Sequence, residues 1–342
     1  MRRARIRGTG AALPPPMEQS AVWEEHFRDR FAGSRVAERI FAGAGVRRRH
    51  AVADPRAEDV AHWSTESRMR RYAEAAPPLA HDAVVAALAD ADVSAADVGL
   101  LVVASCTGYA TPGVDIALAG SLPLDPRARR LVVGHMGCYA AMPGLDTVTD
   151  YVTGNGKPAV LLCVELTSLH AQPPTDDTEQ IICHALFGDA AAAVVVTPDD
   201  GPGLRVADSA WRTYPGTSEH MTWHVTDLGF RMGLSRRVPD ILGAEVELLV
   251  KDLLAPHGRT PADIAHWAVH PGGPRVLDTV ESALSLPPLT ASRHVLAEFG
   301  NCSSATVPLI LGSLDTRPGD AVVAMAFGPG LTLSAALLVA EP

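Results

Sequence analysis

The sequence predicts a duplicated α/β fold on a largely buried sheet, and three observations predict it. Apolar runs bounded by turn residues alternate with helical stretches. The second half of the chain repeats the landmarks of the first in the same order. A composition of 47% hydrophobic, 20% charged and 5% aromatic residues supplies an aliphatic core without the polarity of a disordered chain.

Strands are expected at 99–105, 130–134, 158–164, 190–197, 264–270, 320–326 and 332–340. Each is short, apolar and closed by turn residues, as strands buried on both faces are. Helices are expected at 80–92, 139–153, 240–254, 274–284 and 303–314, the first reading LAHDAVVAALADA. The alternation of the two implies helices covering the sheet.

The repeat is visible in four places. Ala96-Asp97-Val98 opens one strand and Ala262-Asp263-Ile264 another, 166 residues on. Met136-Gly137-Cys138 is matched by Phe299-Gly300-Asn301, 163 residues on, each step leading into a helix of small residues. KPAVLLCV at 157–164 corresponds to GDAVVAMA at 319–326, and Phe187-Gly188 to Phe327-Gly328. A chain of 342 residues suits two domains or one doubled one, and the boundary is placed between 1–200 and 201–342. A pseudo-two-fold axis would bring Cys138 and Asn301 together from opposite sides, with the functional site at the junction.

The formal net charge of −10 excludes nucleic-acid binding through a general basic surface. The N-terminus MRRARIRGTGAALPPP is basic but lacks the apolar core of a secretory signal, and no run approaches a membrane span. A soluble cytoplasmic protein is expected. The five cysteines are odd in number and show no CxxC spacing, so neither a disulfide framework nor a zinc knuckle is expected. His220 and His224 are four apart without the HExxH pattern of a zinc helix. Arg35, Arg39, Arg47, Arg48 and Arg49 crowd one stretch, either as a solvated face or as a site for an anionic ligand.

Three residues carry candidate chemistry. Cys138, in GHMGCYAAMPGL, follows a strand and precedes a helix. There the partial positive charge of the helix start favours thiolate, the nucleophilic form, although buried cysteines are more often small hydrophobes. His270 ends HWAVH and enters the turn PGGP, presented at a strand end or held as a core histidine. Asn301, in FGNCSSATVP, is placed to cap a helix, and a carboxamide held there also aims a rigid N–H donor at a developing oxyanion.

Taken with GCYAAMPGL, CVELTSLHAQ at 163–172, ALFGDAAAA at 185–193, HPGGPRVLD at 270–278, GNCSSATVPLIL at 300–311 and FGPGLTL at 327–333, the chain resembles the type III polyketide synthases. These include the chalcone and stilbene synthases, and SCTGYATPG at 105–113 is similar to the bacterial branch. The resemblance implies a thiolase-like duplicated fold, layered αβαβα with two pseudo-symmetric halves. It also implies a catalytic set of Cys138, His270 and Asn301, in which imidazolium His270 would support a Cys138 thiolate.

The activity implied is loading of an acyl-CoA starter on Cys138 and decarboxylative condensation with a malonyl-CoA-type extender, giving a pyrone, resorcinol or related product. Neither metal nor organic cofactor is implied, and a homodimer is. Phe187 corresponds to a channel-guarding phenylalanine. Met232 replaces a second one of the plant members, with Phe230 two residues earlier. Cys106, Thr167, His170 and Ser303 match cavity positions, and Gly328, Pro329 and Gly330 match a loop that shapes cyclisation. Arg39, the Arg47 to Arg49 cluster and Arg275 match the CoA entrance. The alternatives are an enzyme resembling β-ketoacyl-ACP synthase III, limited to one condensation, and a catalytically silent partner subunit.

Overall fold

In a computed structural model, which describes residues 3–198 and 201–342, nine strands form one mixed sheet, and two further pairs, Pro16–Glu18 with Arg48–His50 and Met221–Thr226 with Gly229–Leu234, stand apart from it. Across it run His266–Val269, Ala321–Gly328, Thr332–Glu341, Gly203–Thr213, Arg5–Ala12, Ala190–Thr197, Ala159–Glu165, Leu100–Ser105 and Arg129–Gly134. The middle of this list is a seam. Arg5–Ala12 and Gly203–Thr213 pair only at Arg5 with Arg205 and Ile6 with Leu204.

Moving outward from the seam, each half shows two antiparallel pairings and then a parallel one, so the halves repeat in topology as well as in sequence. The first half adds Arg129–Gly134 as a fifth strand, and the second ends at His266–Val269. The expected boundary at 200/201 touches residues 199–200, which lie outside the described residues.

Alternation along the strands builds the layers, because successive side chains point to opposite faces. Val102, Leu161, Ala192 and Val194 share one core with Val322, Ala324, Ala336 and Leu338 of the other half and with the helices Ala141–Asn155 and Thr306–Gly312. Their neighbours Leu101, Val103, Leu162 and Val195 turn outward onto the helix Thr65–Ala91. Val323, Met325, Ala335 and Leu337 turn onto Val238–Leu254 and Pro274–Leu284. The result is αβαβα layering, with the middle layer shared by both halves.

The expected helix at 80–92 is the second half of a 27-residue helix. It is capped by Ser64, whose hydroxyl accepts from Ser67 N–H, and it continues through Pro77 and Pro78. Ala83, Ala87 and Ala91 line its inner face, and the strand Arg5–Ala12 lies directly on its backbone. A Cβ on Gly10 would fall 2.3 Å from the nitrogen of Ala87, so only glycine permits this approach. The expected helix at 303–314 starts as the 3-10 turn Ser303–Ala305 and becomes α-helical over Thr306–Gly312.

Candidate active site

The strand Arg129–Gly134 hands the chain to Cys138 through a tight reversal. His135 and Gly137 both take positive φ, +57° and +74°, and Cys138 then sits in the 3-10 turn Gly137–Tyr139, one residue before the helix Ala141–Asn155. A left-handed non-glycine residue such as His135 is costly, and such strain concentrates at functional sites. His270 follows the strand His266–Val269 and is held by its N–H to Met325 O at 2.8 Å. Asn301 follows Gly300, at φ +74°, and bridges to the backbone beside Phe187.

The three residues line one cavity of about 280 Å³ whose walls come from both halves. Cys138, His270 and Asn301 are all buried, at 7%, 2% and 2% exposure. Asn301 Oδ1 accepts from Ser303 N–H at 2.9 Å, which caps the turn and leaves the amide NH₂ facing Cys138. The cap and the donor are two ends of one carboxamide. The imidazole Nδ1 of His270 is buried without a hydrogen-bond partner among the described residues.

Burial works against both charged forms of the imidazolium–thiolate pair that the resemblance implies. Burial pushes the Cys138 thiol up to about 12, with hydrogen bonds from Ser303 and Asn301 working against it and Glu165 adding to it. Burial likewise holds His270 down at about 3. Taking each group out of water disfavours its charged form, so burial favours the thiol of Cys138 and the neutral imidazole of His270.

Glu165, which no catalytic pattern in the sequence marks, is fully buried behind the site. It accepts from Cys106 N–H at 3.0 Å, Thr107 Oγ1 at 2.7 Å and Ser304 Oγ at 2.5 Å.

Phe187 and Met232 stand where spaces meet. Both line the 280 Å³ cavity, a pocket of about 30 Å³ that also holds Cys106, Thr167, Ser303, Pro329 and Trp223, and an apolar pocket of about 80 Å³ beyond. Trp223, like Thr167, lines both of the last two and donates its indole N–H to Cys106 O at 2.8 Å. It too went unnoticed in the sequence, where alternation in MTWHVT was the available signal. His170 lines only the outer pocket, and its ring is spent on structure. Nε2 meets Thr107 O at 2.6 Å, Nδ1 accepts from Phe230 N–H at 3.0 Å, and the ring stacks on Phe230 at 4.5 Å.

Two expectations are corrected. Gly328 lines none of these spaces. A Cβ there would lie 2.1 Å from the Tyr139 ring, so it is a packing glycine, and Pro329 takes its place at the pocket wall. The Arg47 to Arg49 cluster does not face the cavity. Arg47 pairs with Glu298, Arg48 with Glu18 and Glu298, and Arg49 is buried against backbone carbonyls. The cavity mouth is lined instead by Arg39, Arg275 and Arg236, all exposed and with no ion pair among the described residues. Arg236 was legible only as a charge in RMGLSRRVP.

A doubled α/β sheet whose halves deliver a thiol on one side and an imidazole and carboxamide on the other defines a thiolase-fold condensing enzyme. The sequence comparisons narrow the class. The N-terminal domain of the chalcone and stilbene synthases matches residues 4–200 and their C-terminal domain residues 205–342. The alpha-pyrone synthesis polyketide synthase-like protein of Mycobacterium tuberculosis is 36% identical over 284 residues, covering 79% of this chain and 72% of that one. The 1,3,6,8-tetrahydroxynaphthalene synthase of Streptomyces peucetius subsp. caesius is 35% identical over 349 residues, covering 97% and 92%.

Among solved structures, the 1,3,6,8-tetrahydroxynaphthalene synthase of Streptomyces coelicolor, a bacterial type III polyketide synthase, superposes with a TM-score of 0.93 at 28% identity, covering 99% of both chains. The chain belongs to the chalcone and stilbene synthase family and is a type III polyketide synthase. Among the described residues no helix is long and apolar enough to cross a membrane, and no three His, Cys, Asp or Glu side chains group as metal ligands.

Proposed function

We propose that Cys138 carries the growing acyl chain while His270 and Asn301 drive malonyl decarboxylation, with CoA thioesters entering past Arg39, Arg236 and Arg275. The observation that carries this reading is the meeting of thiol, imidazole and carboxamide on one cavity whose mouth holds three guanidinium groups with no ion pair among the described residues. Arginine suits phosphate through its planar fork of donors.

In the loading step the Cys138 sulfur attacks the acyl-CoA carbonyl as neutral His270 takes the thiol proton, and the C–S bond to CoA breaks. CoA leaves as its thiolate, and His270 keeps the proton on the nitrogen that faces the thiol, where it serves as the N–H donor of the next step and returns to Cys138 when the thioester breaks. A neutral imidazole is the form able to accept it.

In the extension step the malonyl thioester oxygen lies between N–H donors of His270 and Asn301. The bond to the carboxylate breaks, carbon dioxide leaves, and its electron pair becomes an enolate stabilised by those donors. The enolate carbon attacks the acyl-Cys138 carbonyl, the thioester C–S bond breaks, and Cys138 is free to be reloaded. Repetition gives a poly-β-keto chain that closes to a pyrone, resorcinol or related ring. No cofactor takes part in this scheme, and the cytoplasm is its compartment.

A homodimer is also proposed. The edge strand Arg129–Gly134 leaves its outer hydrogen-bonding side open and exposes Leu131 at 42% and Val132 at 55%. An open apolar edge of this kind is usually covered.

The test is incubation with malonyl-CoA and a panel of acyl-CoA starters, with products read by mass spectrometry. Pyrones or resorcinols with several extensions are expected. A single condensation, seen only with acyl-ACP, would overturn the assignment. Acylation persisting at Cys106 or Cys302 in Cys138→Ala would displace Cys138 from the mechanism.

A further inference from the structure

Arg49, which the resemblance places at the CoA entrance, has a different occupation. Arg49 is 6% exposed and forms no hydrogen bond to a carboxylate. Its Nη1 donates to His184 O at 2.5 Å and to Phe187 O at 3.2 Å, and its Nη2 donates to Gln19 Oε1. Gln19, also buried, donates Nε2 to Ala185 O at 2.9 Å. These contacts converge on the end of the helix Thr178–Leu186, whose last four carbonyls have no acceptor role inside a regular helix and need outside partners.

All four carbonyls find one. Cys183 O accepts from Phe187 N–H at 3.2 Å, His184 O from Arg49, Ala185 O from Gln19, and Leu186 O from Asn301 N–H at 2.8 Å. Asn301 O then accepts from Gly188 N–H at 3.1 Å, and Thr167 Oγ1 donates to Gly188 O at 2.9 Å. A guanidinium also suits the negative end of a helix. The helix end, Phe187 and the Asn301 backbone are thus one bonded unit, and among the described residues Arg49 with Gln19 is the buried side-chain pair that grips it from the N-terminal segment.

We propose that Arg49, braced by Gln19, is a positioning residue that fixes Phe187 and, through the Phe187–Asn301 bridge, the carboxamide used in decarboxylation, rather than a ligand of CoA. The proposal rests on the reading of Phe187 and Asn301 given above. Lysine in place of Arg49 keeps the charge but cannot span His184 O, Phe187 O and Gln19 at once.

The experiment compares Arg49→Lys and Gln19→Leu with the wild type in the full-length protein. It measures malonyl-CoA decarboxylation, as kcat and KM, and acylation of Cys138 by a starter acyl-CoA, followed by intact-protein mass spectrometry. Arg49→Lys should lower the kcat of decarboxylation tenfold or more, with KM for malonyl-CoA and the rate of Cys138 acylation each within threefold. Gln19→Leu, which keeps the arginine, should show the same split at smaller amplitude.

A raised KM with unchanged kcat would make Arg49 a CoA ligand and overturn the proposal. So would equal loss of both activities in step with a lowered folded fraction. If Arg49→Lys fails to fold, Gln19→Leu alone decides. Phe187→Leu, run alongside, tests the underlying reading. If it decarboxylates at the wild-type rate while Arg49→Lys does not, the role of Phe187 falls and the proposal falls with it.

Discussion

The resting protonation of Cys138 and His270 can be read from the pH dependence of alkylation. With the thiol pushed up to about 12, only about one Cys138 in 30,000 is thiolate at pH 7.5, against about one in ten for an ordinary exposed cysteine. The rarer thiolate is also the stronger nucleophile, by roughly 40-fold over such a pKa difference, so iodoacetamide should modify Cys138 about a hundredfold more slowly than an exposed thiol.

The assay is a time course of iodoacetamide labelling between pH 6 and 9, quantified on the peptide containing Cys138. The rate should climb about tenfold per pH unit with no plateau, because the group stays far below its midpoint. In His270→Gln the same climb should appear with a rate within threefold, since a neutral imidazole contributes little to thiolate formation, while acyl transfer falls by about 10² to 10⁴. A plateau reached by pH 7 in the wild type and lost in His270→Gln would show a resting ion pair. It would refute the argument that burial dominates this site.

Three further outcomes follow from the geometry. Burial holds His170 and His184 down at about 4 and His270 at about 3, so each is neutral when folded and takes up a proton on unfolding below its ordinary 6.5. Stability therefore falls as pH drops from 6.5 towards 4, by about 2 kcal/mol per histidine at pH 5, less what is returned by the raised carboxyls of Glu165 and Asp189. Urea midpoints equal at pH 7.5 and 5 would contradict this. Trp223→Ala should merge the pockets of about 30 and 80 Å³, raising kcat/KM for long over short acyl-CoA starters at least tenfold, and an unchanged length preference would show that the indole is not the divider. Gly188→Ala places a Cβ 2.2 Å from Phe299 O, a backbone atom with no rotamer to escape through, and should cost roughly 1–3 kcal/mol in thermal unfolding.

The chemistry-bearing steps were legible because they combine local signals, a strand, a glycine and a small-residue helix, in an order that repeats. The outer strands were less so. RIRGTGAA at Arg5–Ala12 lacks apolar alternation because its glycines answer to the helix beneath, a tertiary demand invisible in the segment itself. Gly203–Thr213 is only half-buried, and the helix Thr178–Leu186 was hidden in a polar stretch. The arginines failed differently. Sequence shows that Arg47 and Arg49 are charged, but their partners Glu298 and the carbonyl of His184 lie 251 and 135 residues away. Arg236, which does reach the mouth, had no pattern to mark it.

The seam between Arg5–Ala12 and Gly203–Thr213 has a consequence for how activity should be lost. The two halves of the sheet pair directly at two residue pairs, yet the proposed nucleophile belongs to one side and its imidazole and carboxamide partners to the other. A small rotation at that junction would alter the thiol-to-imidazole separation while leaving every distance within either half unchanged. Turnover is therefore a sensitive gauge of the alignment of the halves, and mild heat or denaturant should extinguish it before circular dichroism registers any loss of secondary structure.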